Sequence, residues 1–349
     1  MNRYIKSAIY RFLHSKKTER IFKIFFANKV FIENFQFGKE TDRNFYFLIT
    51  VDVEPGYVLK NGRNVWINED SKAFVGVSHG LENILRVLQK YQVPATFFTT
   101  PQCFYENQKA VLATSTLYKL HKLGNEIGLH MHPREDDVLK NETGRDYTKT
   151  SSHYYSEEEI SEMLSGARKV FRQKLGKEIE KSLTSFRWGN WGLSSQAVSA
   201  LAKNGFLLDS SACPGISGHL GKERYYDWSK TRRLSPWELN KDDYQTVTGG
   251  NSGITEIPNS TFSVRGKIFR ADPVLGHLFD LGFKKYYRKF SEEKRQVFFT
   301  SLTHSSEATD AEGGQSRTLE NLDRVIGQAK KMGNVKFITA SQARRIFGK

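Results

Sequence analysis

The stretch FYFLITVDVEP, residues 45–55, is almost wholly aromatic, aliphatic or β-branched until Asp52 and Glu54 appear two positions apart ahead of Pro55. Such a run reads as a buried strand over Phe45–Val53. Side chains two apart on a strand share a face, so the two carboxylates project together from its C-terminal end. An apolar strand holds two inward carboxylates only if they are exposed, paired or bound to a cation. All three alternatives remain open on this stretch alone.

Outward from it, short apolar runs alternate with helical periods. Leu81, Ile84, Leu85 and Leu88 form a helical stripe after Ser78, and Ala95–Thr99 is a second strand. A helix over Leu117–Leu123 ends at Gly124, and Glu126–His132 is a third strand. Ser156 and Glu159 make a capping box ahead of a helix that Gly176 stops. Strands are expected at Leu183–Arg187, Phe206–Asp209, Ile254–Pro258, Val297–Thr303 and Val335–Thr339, with helices over Ser195–Lys203 and Leu319–Lys331. This alternation predicts an α/β fold, a distorted parallel (β/α) barrel of about seven strands, rather than an open sheet. Residues 210–250, rich in Gly, Tyr and Trp, and residues 263–290, basic and aromatic, read as excursions from the barrel.

The 349 residues carry a formal charge of +15, which points to an anionic neighbour: a phosphate-bearing substrate, nucleic acid or acidic lipid. Arg3, Lys6, Arg11, Lys16, Lys17, Arg20, Lys23 and Lys29 face a single acid, Glu19, in residues 1–29. Ile5, Ile9 and Leu13, then Ile21 and Phe25, recur at spacings of four, as on a basic amphipathic helix. Residues 1–40 are thus set apart as a basic N-terminal helical segment, docking on an anionic membrane or packing on the body. Charges interrupt every apolar run there, so neither a secretory leader nor a membrane span is expected. Cys103 and Cys213 stand 110 residues apart, which argues against a disulfide framework or a thiolate metal site. The expected location is cytoplasmic, with contact to the inner membrane face if the helix docks.

Three further strand ends carry chemistry. GLHMHP, residues 128–133, places His130 and His132 on one face with backbones ~6.5 Å apart, a spacing at which two imidazoles can converge on one cation. FRWGNWG, residues 186–192, sets Arg187 between aromatics, and LTHSSE, residues 302–307, closes a strand on His304. Taken singly, an incidental histidine pair, an ordinary ion pair and a satisfied histidine account for these. Together they occupy the C-terminal ends of expected strands, the face on which barrel active sites assemble.

The order TVDVEP, ATFF, GNEIGLHMHP, FRWGNWG, LLDSSAC, LTHSSE resembles the polysaccharide deacetylases, carbohydrate esterases with a distorted β/α barrel, over about residues 45–345. The resemblance implies a polysaccharide-deacetylase-like domain at residues 41–349. By position it implies Asp52 as catalytic base, Arg187 as the residue orienting it, His304 as general acid, and His130 as the first metal histidine. Asp209 lies in the place of the fourth motif and is taken as a substrate contact, as are Trp188 and Trp191. Two departures stand out: Val53 and Glu54 follow Asp52 where the family commonly has a second aspartate, and only Met131 separates the histidines. They resemble a divergent DVE/HxHP branch. Glu54, His130 and His132 are the expected metal ligands, although exchanging Asp52 and Glu54 preserves the inventory.

The function so implied is metal-dependent hydrolysis, with a divalent ion, zinc by preference, removing an N-acetyl or N-formyl group from a sugar, polysaccharide or lipid-linked glycan of the cell envelope. Trp228, Trp237, Tyr225 and Tyr226 are further residues that could stack on sugar rings or simply pack. Three alternatives compete: a catalytically silent carbohydrate-binding barrel, a glycoside hydrolase using Asp52 and Glu54, and a nucleic-acid binder. The second needs carboxylates that flank a sugar. The third lacks any recognisable motif, so no nucleic-acid partner is expected.

Overall fold

The computed structural model describes residues 12–13, 15, 24–27, 29–32, 37, 43–55, 57–59, 64–66, 74–105, 108–220, 223–293, 295–310 and 312–348. Its main sheet has nine strands: β1 (Phe45–Val53), β2 (Thr96–Thr99), β3 (Glu126–Met131), β4 (Ser185–Trp188), β5 (Leu208–Asp209), β6 (Trp237–Glu238), β7 (Thr255–Glu256), β8 (Val297–His304) and β9 (Val335–Phe337). The spatial order is β6-β7-β5-β4-β3-β2-β1-β8, and β9 pairs with the first residues of β1. Only β6 runs antiparallel to its neighbour, so the sheet is a curled parallel half-barrel.

β1 is buried along its whole length, as its run of apolar side chains requires of a strand covered on both faces. Irregular chain bridges the gap between β7 and β8. Ser260 N donates to Thr300 O at 3.1 Å, Thr300 N to Ser260 Oγ at 2.9 Å, and Leu302 N to Ala271 O at 3.1 Å. These bonds satisfy the exposed edge of β8 without a further strand.

Helices cover the outside: α1 (Leu81–Tyr91), α2 (Gln108–Lys122), α3 (Asp137–Thr143), α4 (Glu157–Ser182), α5 (Ser195–Lys203), α6 (His277–Glu293), α7 (Arg317–Ala329) and α8 (Ala340–Phe347). The expected capping box of α4 is present: Glu159 N donates to Ser156 Oγ at 3.2 Å, and Ser156 N to Glu159 Oε2 at 2.8 Å. Gly176 breaks that helix with φ +86°, and helical chain resumes to Ser182.

The larger departure concerns residues 263–290, expected as an excursion. Thr261–Val264 and Lys267–Arg270 form a hairpin turned by Arg265 and Gly266, both at positive φ, and Val30–Phe31 adds a third strand to it. After a short turn at Pro273–Leu275 the remainder is α6. Its Phe279, Phe283, Tyr286 and Phe290 follow a helical period and pack on Phe45 and Phe299 of the sheet. The aromatic density read as an insertion is core.

The expected basic N-terminal helix falls mostly outside the described residues. Among the described residues no helix is long and apolar enough to cross a membrane. Replacing Ser156 by Ala removes the α4 cap and is expected to cost about 1 kcal/mol, read as a lower urea midpoint with unchanged slope.

Candidate active site

Register explains which side chains meet. Asp52 pairs across the sheet with His304 on one side and with Phe98 on the other, while His130 pairs with Arg187. In-register neighbours share a face. Asp52 and Glu54 therefore face the interior from β1 and its end, His130 and His132 from β3 and its end, Arg187 from β4 and His304 from β8. Gly128 lies opposite Phe98, where a Cβ would come within 2.7 Å of the ring. The missing side chain leaves room for Phe98, whose ring lies 4.3 Å from the Arg187 guanidinium carbon.

Arg187 is fully buried. Its Nη1 donates to Asp52 Oδ1 at 2.6 Å, Nη2 to Thr50 Oγ1 at 3.0 Å, Ser210 Oγ at 2.8 Å and Asn259 Oδ1 at 3.2 Å, and Nε to Ser210 O at 2.8 Å. Burial pushes the Asp52 carboxyl up, but Arg187, His130 and His304 outweigh it and hold the group below its ordinary value. Asp52 is thereby kept ionised and fixed in direction.

Glu54 sits deeper in the imidazole pair. Its Oε2 is 2.8 Å from His132 Nε2 and 3.5 Å from His130 Nε2. Burial again pushes the carboxyl up, and His132 and His130 carry it well below the usual range. Glu54, His130 and His132 offer ligand atoms that all lie within 4.8 Å of one another.

The donor chemistry of this trio fits a divalent cation. His130 Nδ1 lies 2.9 Å from Arg187 O, an atom that can only accept, so Nδ1 carries a proton and Nε2 is the nitrogen left facing Glu54. His132 Nδ1 and Glu135 Oε2 are both buried without a hydrogen-bond partner and face each other at 3.9 Å, the arrangement that steers a ligating imidazole. Burial lowers the His132 pKa, and Glu54 and Glu135 more than offset it, so the proton that pairs His132 with Glu54 is the one a cation would displace. Gly189 closes over this ring: a Cβ there would lie 2.5 Å from His132 Nε2.

His304 Nε2 is 3.7 Å from Glu54 Oε1 and 3.9 Å from Asp52 Oδ2. Its other nitrogen faces Glu307 Oε2 at 3.3 Å. The same carboxylate oxygen accepts from His304 N at 3.0 Å and Thr303 Oγ1 at 3.3 Å, which locks it behind the ring. Burial pushes the His304 pKa down, yet Glu307, Glu54 and Asp52 lift it to about 10.

Six of the expected residues, Asp52, Glu54, His130, His132, Arg187 and His304, thus converge. Two do not. Trp188 follows inward Arg187 on a strand and so points out of the barrel, where it is fully buried and donates from Nε1 to Thr150 O at 2.9 Å. Asp209 pairs in register with Phe186, on that same outer face. It is fully buried, and both its oxygens accept from Ser211, at 2.9 and 2.8 Å. Trp228, Trp237 and Tyr226 are also buried, leaving Trp191 and Tyr225 partly open.

Sequence reasoning missed Glu307, Glu135, Ser210, Asn259 and Thr50. Glu307 lay in the quoted LTHSSE, and its spacing of three from His304 was the available signal. Arg187→Met leaves Asp52 buried without its partner and is expected to destabilise the fold by about 3 to 5 kcal/mol, measured by urea unfolding. Gly189→Ala is expected to keep the fold but turn His132 aside, read as a drop of at least about tenfold in zinc affinity by competitive chelator titration.

The sequence over residues 60–208 matches the family model for polysaccharide deacetylase. No curated protein is matched by the sequence. The fold is similar to that of a Mycobacterium smegmatis protein provisionally described as a polysaccharide deacetylase, at 16% identity and a TM-score of 0.58, covering 88% of this chain and 92% of that one. It is similar as well to a probable polysaccharide deacetylase from Pseudomonas aeruginosa PAO1, at 13% identity and 0.55, covering 87% and 91%. The Puue allantoinase is matched at 14% identity and 0.55, again covering 87% and 91%. At these identities the likeness is one of fold.

Proposed function

We propose that this chain, whose residues 60–208 match the polysaccharide deacetylases, is a metal-dependent hydrolase that removes an N-acyl group, acetyl or formyl, from a sugar or glycan. One observation carries the reading: the Glu54–His130–His132 trio shares a single mouth with the Asp52–Arg187 pair and the His304–Glu307 pair. The fold alone does not choose the acyl donor, since it is shared with an allantoinase.

Glu54, His130 and His132 would hold the divalent cation. When bound, such an ion supplies Lewis-acid chemistry, polarising an acyl oxygen and lowering the pKa of water. Asp52, held ionised and aimed by Arg187, takes the proton of the attacking water. His304 stays protonated against Glu307 and gives its proton to the leaving nitrogen as the C–N bond breaks. Acid and base thus stand on neighbouring strands, with His304 Nε2 3.9 Å from Asp52 Oδ2 at the same mouth.

The geometry disfavours the glycoside hydrolase alternative. Asp52 Oδ2 and Glu54 Oε2 lie 3.8 and 3.5 Å from one atom, His130 Nε2, so the two carboxyl groups approach from one side. A retaining or inverting pair has to flank the sugar. The silent binding barrel requires a gap in the set; the family's adjacent second aspartate is the member this sequence lacks, and the position of Glu54 against both imidazoles supports its standing in for it.

The test is metal content per chain followed by acetate and formate release from N-acetylated and N-formylated sugars. Chelation should abolish release and zinc restore it. Asp52→Asn and His304→Ala should each lower kcat by about 10² to 10⁴ with the metal retained. Turnover that persists in the metal-free protein rules the reading out.

A further inference from the structure

We propose that Arg270, seated on Trp191 at the rim of the mouth, binds an anionic group of the substrate, a phosphate or a carboxylate. This deepens the reading of the mouth as a sugar deacylation site and rests on it. Arg270 ends the second strand of the hairpin, and Ala271 beside it bonds to both Ser260 and Leu302, two residues before His304. The guanidinium therefore lies next to the end of β8. Its carbon stands 3.7 Å from the Trp191 ring centroid, so it reaches across to the loop that follows β4.

The contrast with Arg187 is the reason to expect a ligand. Arg187 spends its donors on well-formed bonds. Arg270, with a side chain only 21% exposed, has one polar contact among the described residues, Nη2 to Asp272 Oδ2 at 3.5 Å, and its Nε is buried without a partner among them. The other Asp272 oxygen already accepts from Val274 N at 2.9 Å. Burial, with Glu307 nearby, pushes Asp272 up to about 7, while Glu307, the other carboxylate acting on Arg270, is held low against its burial chiefly by His304 and is committed to that ring and its backbone. A mostly buried guanidinium with unspent donors is unfavourable unless an anion completes it, and its planar fork matches phosphate and carboxylate oxygens.

A second observation points to the same place. Asn190 and Trp191 both adopt the left-handed region, at φ +49° and +56°, a conformation that costs ~1–3 kcal/mol for each non-glycine residue. The strained turn is held by Trp228 Nε1 donating to Trp191 O at 3.1 Å and by Tyr226 packed edge-on at 5.4 Å. Its effect is to present the Trp191 face to Arg270. A ring that flanks a guanidinium supplies one wall for a sugar and one anchor for its charged substituent.

The experiment is isothermal titration of the metal-loaded protein with N-acetylglucosamine, N-acetylglucosamine 1-phosphate and N-acetylmuramic acid. The phosphate and carboxylate arms distinguish the two sources of charge. At least one anionic sugar should bind about tenfold more tightly than the neutral one. Arg270→Gln should bring that ratio to about one, and Arg270→Lys should keep part of it. Equal affinities in the unaltered protein, no binding of any of the three, or an Arg270→Gln variant weakened equally toward all three overturns the proposal. The last is what a mere prop for Trp191 predicts. If acetate release is absent while the ratio responds to Arg270, the hydrolase reading fails and the anion site stands.

Discussion

The buried ion pair of Arg187 with Asp52 is the constraint around which the barrel is arranged. Both side chains are almost wholly removed from water, and each charge would cost several kcal/mol to bury alone. The structure offsets this by bringing acceptors to the guanidinium from β1, from the chain after β5 and from Asn259. Asn259 in turn donates to Ser210 O and Ala212 O. One arginine thus ties three separate stretches to the inside of the sheet, close to where β7 and β8 fail to pair. Site geometry and barrel closure share the same bonds.

The same residue also acts through its backbone. Arg187 O receives the Nδ1 proton of His130 and so turns the other imidazole nitrogen toward Glu54. Its side chain fixes Asp52, and its carbonyl fixes a member of the candidate cation site. Movement of β4 would therefore disturb base and ligand together. Gly189, two residues on, adds the clearance His132 needs. The short motif around Arg187 sets three parts of the mouth at once, which a catalytic reading explains better than packing alone.

Much of this was legible because strands have a period of two. Asp52 with Glu54 and His130 with His132 could be placed on inner faces from spacing, and the β1 boundaries and the α4 capping box follow from local chemistry. The same period, applied to Trp188, would have excluded it, since it is adjacent to inward Arg187. Asp209 was less accessible: its face depends on register with Phe186, a fact of pairing rather than of spacing. Ser210 and Asn259 meet Arg187 from 23 and 72 residues away, and no local pattern announces them. The α6 helix was hidden differently, because Gly282 and its lysines masked an aromatic stripe of helical period. Gly282 is there for clearance: a Cβ would come within 2.6 Å of Phe262.

The two carboxylates, interchangeable on the sequence, separate by what surrounds each. Asp52 is gripped by a cation that cannot lose its charge, so its electron pairs are committed on one side and open toward His130 and His304 on the other. Among the described residues Glu54 has no such partner, and it lies against both imidazoles of the HxH pair. A base must stay ionised and aimed while its surroundings change during turnover, which suits the arginine-held group. A ligand must share its charge with an incoming cation and release the protons that stand in for it, which suits the other. On the proposed reading the division of labour follows from the position of one guanidinium, with base and ligand two residues apart at the end of a single strand.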